Sequence, residues 1–149
     1  MKNSFVLIID SDYSKGEIIN SNFDNIDGDA IDTSGSAVKI KMVNISNVGD
    51  KGISVGERSD VEAKQVSINN TNIGIASKDS SQFFGSNLII KNSRKYDLAS
   101  YNKKKVFDGG NMKIEKIISN NKHLVQKNSE IIINNKNIIE KEFNSKELY

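Results

Sequence analysis

Apolar residues recur along this chain in two columns that share a period of about 22 residues. In the first column an apolar residue stands two places before an asparagine, with steps of 22, 23, 22 and 28 residues between the asparagines. These asparagines are Asn25, Asn47, Asn70, Asn92 and Asn120, with Asn3 as an earlier member. The second column has steps of 22, 22, 22, 23 and 26 residues and contains Ile9, Ile31, Ile53, Ile75, Leu98 and Leu124. Two columns with one period indicate an internal structural repeat.

Between these columns the chain alternates apolar and polar residues, which is typical of β-strands. In the stretch from 38 to 46, Val38, Ile40 and Met42 fall on one side, and Val43 and Ile45 then indicate a shift of phase. Short strands that return every 22 residues without a helical stretch predict a solenoid, in which each coil pairs with the next through parallel ladders. The predicted fold is all-β, a right-handed single-stranded parallel β-helix of about five to six coils.

This β-helix is predicted to span residues 1–138, followed by a tail over residues 139–149. The spacing of Ile139, Phe143 and Leu148 in the tail predicts a short capping helix. The first residues already follow the strand pattern without a visible cap, so further β-helix coils are expected on the N-terminal side, as in a fragment of a longer protein. The asparagine column has its own reason: asparagine tolerates the left-handed backbone region and can hydrogen-bond its equivalent one coil away.

Composition narrows the possible partners. The 149 residues carry a net charge of +2 and no cysteine, so no strong field favours nucleic acid, despite the cluster Lys103–Lys105, and nothing depends on disulfides. The apolar run from Phe5 to Ile9 is too short for a membrane span or a signal peptide. We therefore expect neither membrane insertion nor an export signal within the chain, and the compartment stays undetermined.

Two rows of residues beside the second column are predicted to face solvent. Residues one place after it are Asp10, Asp32, Ser54, Ala76 and Ala99, and residues three places after it are Asp12, Ser34, Gly56, Lys78 and Tyr101. Residues two places after it are predicted to face inward; they are Ser11, Thr33, Val55, Ser77 and Ser100. The outward rows begin acidic and end basic and aromatic. An extended polysaccharide could lie along them, with Tyr101 stacked on a sugar ring and Lys104 and Asp79 as further contacts.

The same strip also permits catalysis of a uronan lyase or epimerase. Lys78 is the candidate base, with Arg58 or Lys103 as the cation that neutralises the substrate carboxylate. Asp32, Glu57 and Asp79 are candidate calcium ligands, because calcium favours several oxygen ligands. Carboxylates beside Lys78 would favour its charged form and oppose the role of base. A strip that does no more than solvate the solenoid is the third interpretation.

The only histidine, His123, stands one place before Leu124 and is predicted to lie on the outer surface. No histidine cluster and no nucleophile–histidine pair is available for catalysis.

Several stretches resemble successive coils of right-handed β-helix proteins of the pectate-lyase-like superfamily. They are "GEIINSNFDNIDGDAIDTSGS" (Gly16–Ser36), "DKGISVGERSDV" (Asp50–Val61), "NIGIASKDSS" (Asn72–Ser81) and "LASYNKKKVFDGG" (Leu98–Gly110). The resemblance covers roughly residues 9–114 and is nearest to β-helix regions of large bacterial surface proteins. It implies a cell-surface or extracellular setting, and it implies the fold more firmly than any activity, since the superfamily mixes enzymes, adhesins and inactive scaffolds.

The stretch "IASKDSS" is also similar to the lysine-bearing coil of chondroitinase B-type and alginate lyases. In those enzymes a lysine base, an arginine one coil further on and a calcium site act together, and Lys78 matches the base. The next coil here carries Lys103 and Lys104 and no arginine. The leading hypothesis is therefore a non-catalytic module, polysaccharide-binding or structural, of a larger surface-associated protein. The alternatives are a calcium-assisted lyase or epimerase that uses Lys78, and a gene fragment without a function of its own.

Overall fold

The computed structural model describes residues 8–149, and strands dominate it. Thirteen strands follow one another within these residues: β1 (Ile9–Asp12), β2 (Lys15–Ile26), β3 (Ile31–Ser34), β4 (Ala37–Val48), β5 (Lys51–Gly56), β6 (Asp60–Asn69), β7 (Ile73–Lys78), β8 (Gln82–Lys91), β9 (Tyr96–Tyr101), β10 (Asn111–Ile118), β11 (His123–Val125), β12 (Glu130–Ile133) and β13 (Lys136–Asn137). The predicted first coil, with Asn3 and most of the apolar run from Phe5, lies outside the described residues.

The strands form two sheets whose order follows the chain. The short-strand sheet has the order β1-β3-β5-β7-β9-β11, and the long-strand sheet has the order β13-β12-β10-β8-β6-β4-β2. Neighbours pair in parallel, except β12 and β13. Each coil thus contributes one short and one long strand, which confirms the predicted all-β parallel solenoid of about six coils with a 22-residue repeat. None of the helical segments within residues 8–149 has the length and apolar character of a membrane span.

The register of the short-strand sheet confirms the second column for five coils. Ile9, Ile31, Ile53, Ile75 and Leu98 are consecutive register partners, and all but Ile9 are completely buried. In the sixth coil the partner of Leu98 is His123, and Leu124 pairs with Ala99 instead. The predicted place of Leu124 in the inward column is therefore wrong. A shift of one residue exchanges the two faces of a strand, and only backbone pairing decides that shift where coil length varies.

The asparagine column forms the predicted turn, and the predicted side-chain ladder forms between equivalent asparagines at one step only among the described residues, Asn70 to Asn47. Asn25, Asn47, Asn70 and Asn92 have φ between 55° and 58°. The Asn70 Nδ2 donates to Asn47 Oδ1 at 2.8 Å, and Asn92 Nδ2 donates at 2.7 Å to the amide oxygen of Asn69. In the last long coil the residue with positive φ is not Asn120 but the asparagine after it. The side chains therefore continue across coils the pairing that the backbone ladders establish.

A second column of positive φ, absent from the predicted pattern, bends each long strand near its middle. Its members are Asn20, Met42, Gln65, Asn87 and Lys116, with φ between 50° and 58°. This bend is the physical basis of the phase shift after Ile40. Met42 itself is 40% exposed, so its predicted inward orientation is wrong.

The core lies between the two sheets and is built from aliphatic columns with a few aromatic side chains. Ile40, Ile45 and Ile68 from the long strands and Ile53 from a short strand belong to one buried cluster, which Phe23 also joins. Burying a side chain of this size contributes about 1.5–3 kcal/mol, and the 22-residue repeat supplies such residues in every coil. The predicted inward row beside the column is also buried from Thr33 to Ser100.

The solenoid ends in a turn that reverses the chain. Asn134 and Asn135 have φ of 49° and 64°, and β12 and β13 pair in antiparallel fashion around them. Two residues of positive φ between paired strands are characteristic of a type I′ hairpin. Residues 138–149, which we call the cover segment, then run back towards the short-strand sheet. The predicted capping helix is a single 3-10 turn, Ser145–Leu148, and Ile139 is 83% exposed rather than packed.

Candidate functional site

The two predicted outward rows lie side by side on the outer face of the short-strand sheet. Asp10, Asp32, Ser54, Ala76 and Ala99 are consecutive register partners across five strands. In the second row, Lys78 on β7 is the partner of Tyr101 on β9. The predicted alignment of this strip is thus confirmed, with neighbouring strands separated by about 4.8 Å.

The predicted exposure of the strip is wrong at its later coils. Ser54, Ala76, Ala99 and Tyr101 are completely buried, and Lys78 retains only 8% of its exposed surface. At the other end Asp10 and Asp12 remain open to solvent. The strip therefore has an open acidic end and a covered basic and aromatic end.

The cover segment buries the apolar and aromatic part of this strip. Leu148, at the end of the 3-10 turn, belongs to an apolar cluster with Ile73, Ala76, Ala99 and Leu124 on the outer face. This contact is also the reason that Leu124 is buried although it points away from the core. A hydrophobic side chain that lies on the sheet in this way removes water from the groups around it.

Tyr149 closes the covered end. Its hydroxyl lies 2.7 Å from the hydroxyl of Tyr101, and the two ring centroids are 6.5 Å apart in an edge arrangement. Burial raises the pKa of Tyr101, so its hydroxyl stays protonated and remains a hydrogen-bonding group. Tyr101 is therefore placed where the sequence predicts an aromatic contact, and a tyrosine of the same chain occupies that contact.

Lys78 belongs to the same outward row as Tyr101, is buried, and has no ion pair among the described residues. Its side chain runs over Gly56 of the preceding coil, where an added Cβ would lie 3.0 Å from its Cε. Burial lowers the pKa of Lys78, and the positive charges of Lys51 and Lys103 lower it further against the opposing effect of Asp32. Lys78 therefore holds its proton less firmly than an ordinary lysine.

Asp79 does not face Lys78, although it follows it in sequence. Its Oδ1 accepts hydrogen bonds from the backbone N–H groups of Lys103 and Lys104, both at 2.8 Å, and Asp79 is 1% exposed. A carboxylate bound in this way holds the loop after β9 in place. Asp79 therefore does not neutralise Lys78, although Asp32 and Asp29 still act to raise the pKa of Lys78.

The other predicted cations stand at the rim of the strip. Lys104 pairs with Glu57, which also accepts a hydrogen bond from Ser34 at 2.8 Å. The hydrogen bonds from Lys104 and Ser34 lower the pKa of Glu57. Arg58 is exposed, with its guanidinium carbon 5.5 Å from the ring centroid of Phe107. The sequence-predicted cations thus collect at one end of the strip, and Glu57 partly neutralises them.

The candidate calcium ligands are not gathered. Within residues 8–149 no three histidine, cysteine, aspartate or glutamate side chains come together in a way that could hold a metal ion. Asp79 is directed into the loop after β9, and Glu57 is engaged by Lys104. Asp32 lies on β3 and does not form a metal-binding group with them, so this arrangement of residues does not fit calcium.

Lys51 is a site residue that the sequence pattern does not reveal. It is 1% exposed, its Nζ lies 2.9 Å from Asp50 and 3.8 Å from Asp29, and it stands 4.8 Å from the ring centroid of Tyr149. Burial alone would lower the pKa of Lys51, but Asp29 and Asp50 outweigh it and raise the pKa. The register partner of Lys51 on β7 is Ile73, which is apolar. A lysine opposite an apolar residue of the next coil is the feature of the sequence that could have indicated this site.

His123 does not lie where the sequence predicts it. It occupies the inward column opposite Leu98, not the outer surface, and neither ring nitrogen has a hydrogen-bond partner in the described part of the chain. Burial lowers the pKa of His123, so the neutral ring is favoured. It packs in the last coil, where it can take up a proton when the pH falls.

No protein-family model, no curated protein and no solved structure matches the sequence. The resemblance to pectate-lyase-like proteins therefore rests on the quoted motifs alone, whereas the β-solenoid is a property of the described fold.

Proposed function

We propose that this β-solenoid is a non-catalytic module that binds an extended acidic polysaccharide on the outer face of its short-strand sheet. The observation that carries the proposal is the pair Lys78 and Lys103, which have no ion pair with a carboxylate within residues 8–149; Lys78 is the register partner of Tyr101, and Lys103 follows Tyr101 by two residues. Once the face is open, cations without ion pairs can form charge-assisted hydrogen bonds with the carboxylates of a uronic acid chain.

The repeat supports an extended ligand over a compact one. Lys78 belongs to β7, and Lys103 follows β9, the next strand of the same sheet. Neighbouring strands lie about 4.8 Å apart, and the parallel ladders hold them rigidly, so little order has to be created in the sheet on binding. The proposed setting is a larger surface-associated protein that displays this face to a polymer outside the cell.

Titration calorimetry with hexagalacturonate and a hexameric alginate fragment tests this proposal. Lys78→Met and Lys103→Met are each expected to weaken binding at least about tenfold, because a charge-assisted hydrogen bond contributes about 1.5–3 kcal/mol. Lys64→Met is the matched control, because it removes the same charge from an exposed residue of β6 in the other sheet. Binding that weakens equally in all three variants would reveal a non-specific charge effect and refute the assigned face.

The second candidate is uronan lyase or epimerase activity with Lys78 as the base. The specific observation in its favour is that the pKa of Lys78 is lowered, by burial first and then by neighbouring cations. A lysine with this property can take the proton beside a uronate carboxylate, while Arg58 or Lys103 neutralises that carboxylate. A lyase would break the chain by elimination and leave an unsaturated sugar.

Ultraviolet absorbance of the unsaturated product separates the two candidates. Incubation with alginate, pectate or chondroitin, with and without calcium, is expected to give no rise in absorbance for a binding module. A rise that disappears in Lys78→Met would establish the lyase instead. Proton exchange at the uronate carbon without chain cleavage, followed by NMR in deuterated water, would indicate an epimerase.

A further inference from the structure

The cover segment lies on the surface that the proposed ligand would use. Leu148 packs on Ala76 and Ala99 of the first outward row, and Tyr149 contacts Tyr101 of the second. Both rows are therefore occupied by the chain itself at the coils where the cations stand. A sugar chain and the cover segment cannot contact these residues at the same time.

The cover segment is attached mainly through side chains. Its backbone is hydrogen-bonded to the solenoid at a few points: Ile138 N–H to the Ile131 carbonyl at 2.9 Å, Lys141 N–H to the Val125 carbonyl at 2.7 Å, the Gln126 side-chain amide to the Phe143 carbonyl at 2.9 Å and Lys95 Nζ to the Glu147 carbonyl at 3.4 Å. Its remaining contacts are those of its apolar side chains and of the Tyr149 hydroxyl and ring. It can therefore leave the sheet without breaking any of the parallel ladders that hold the coils together.

The chemistry at the covered end fits a ring that carries hydroxyl groups. The ring of Tyr149 has Lys103 Nζ at 4.2 Å and Lys51 Nζ at 4.8 Å from its centroid, and its hydroxyl meets that of Tyr101. Lys51 is compensated by Asp29 and Asp50, whereas Lys103 has no carboxylate partner within residues 8–149. Tyr149 thus fills a place bounded by an aromatic hydroxyl and an uncompensated cation, which are groups that recognise a uronic acid unit.

We propose that the cover segment is a built-in competitor of the acidic sugar chain, and that the contact between Tyr101 and Tyr149 marks one sugar subsite. This inference rests on the proposed function, since it concerns regulation of the same face. The face binds only when the segment is away from it, so the apparent affinity is the affinity of the open form multiplied by the fraction of molecules that are open. Any partner that draws the segment away raises that affinity.

The test compares the full chain with the double variant Leu148→Ala/Tyr149→Ala, which removes both anchors. Ile139→Ala is the matched control, since Ile139 lies in the same segment and is 83% exposed. Two quantities are measured: the rate at which a tyrosine-nitrating reagent modifies Tyr101, which is completely buried beside Tyr149, followed by mass spectrometry, and the dissociation constant for hexagalacturonate. The double variant is expected to raise the modification rate and the affinity about tenfold each, and the control to change neither.

Circular dichroism verifies that the variants keep their strands, and Tyr149→Phe, which removes only the hydroxyl, is expected to give a smaller change in the same direction. An unchanged modification rate of Tyr101 would overturn the inference, because the segment would not be a cover. Weaker sugar binding in the double variant would also overturn it, because the segment would then belong to the binding surface, while the proposed function would stand. Absence of sugar binding in both the full chain and the opened variant would refute the proposed function, and the competition with it.

Discussion

Asn70 joins backbone strain and side-chain pairing in one residue, so its replacement measures both. Its φ is 58°, its Nδ2 donates to Asn47, and its Oδ1 accepts from Arg94 at 3.1 Å. Alanine in the left-handed region costs about 1 kcal/mol more than asparagine, and two exposed hydrogen bonds add about 0.5 kcal/mol each. Asn70→Ala is therefore expected to lower the free energy of unfolding by about 2 kcal/mol.

Asn70→Gly separates the two contributions, because glycine adopts positive φ without strain. It loses the same hydrogen bonds and is expected to lower the free energy of unfolding by about 1 kcal/mol. The assay is urea unfolding followed by far-ultraviolet circular dichroism, with the midpoint as the measured quantity and an unchanged slope as the condition for comparison.

Asn44 provides the matched control in a regular strand. Its φ is not positive, and its Nδ2 donates to Asn22 at 3.1 Å. At this position alanine is expected to be tolerated better than glycine, since glycine weakens a strand by about 0.5–1 kcal/mol. Equal losses for alanine and glycine at Asn70, or the same order of the two residues at both positions, would refute the role assigned to the left-handed turn.

Three further predictions concern buried charge, titration and close packing. Lys51→Met is expected to lower the free energy of unfolding by about 3 kcal/mol because it leaves two carboxylates without their partner, whereas Lys64→Met, at an exposed pair, changes it by less than about 1 kcal/mol in the same urea assay. Burial lowers the pKa of His123, so the unfolded chain binds the proton more readily than the folded protein. The free energy of unfolding is therefore full above the ordinary histidine pKa and falls as the pH drops below it, by at most about 1.4 kcal/mol per pH unit. His123→Leu should remove this dependence in unfolding measured from pH 7.5 to 5. Gly74→Ala would bring a Cβ to 2.5 Å from the carbonyl oxygen of the next coil and should lower the melting temperature, whereas Gly16→Ala meets no atom within 4 Å and should leave it unchanged or raise it.

Much of the fold could be predicted because the solenoid repeats a local pattern. The column from Ile9 to Leu98 and the asparagines from Asn25 to Asn92 take their predicted register, since each coil meets the same neighbours at the same spacing. The shift of phase near Met42 was visible in the sequence, but the positive φ that produces it and the resulting exposure of Met42 were not. The position of His123 could not be predicted because it depends on a coil whose length departs from the repeat.

In the candidate site, too, only the features that follow the repeat could be predicted from the sequence. Periodicity by itself determined that Lys78 and Tyr101 lie next to each other on an outer face, because alternation along a strand and pairing between strands decide orientation. Only the tertiary structure decided that this face is covered, that Lys78 is without a carboxylate partner, and that the calcium ligands stand apart. The reason is that the cover segment has no counterpart in the repeat. Its contact between Tyr101 and Tyr149 joins residues 48 positions apart, and no period in the sequence carries information about a contact that is made only once.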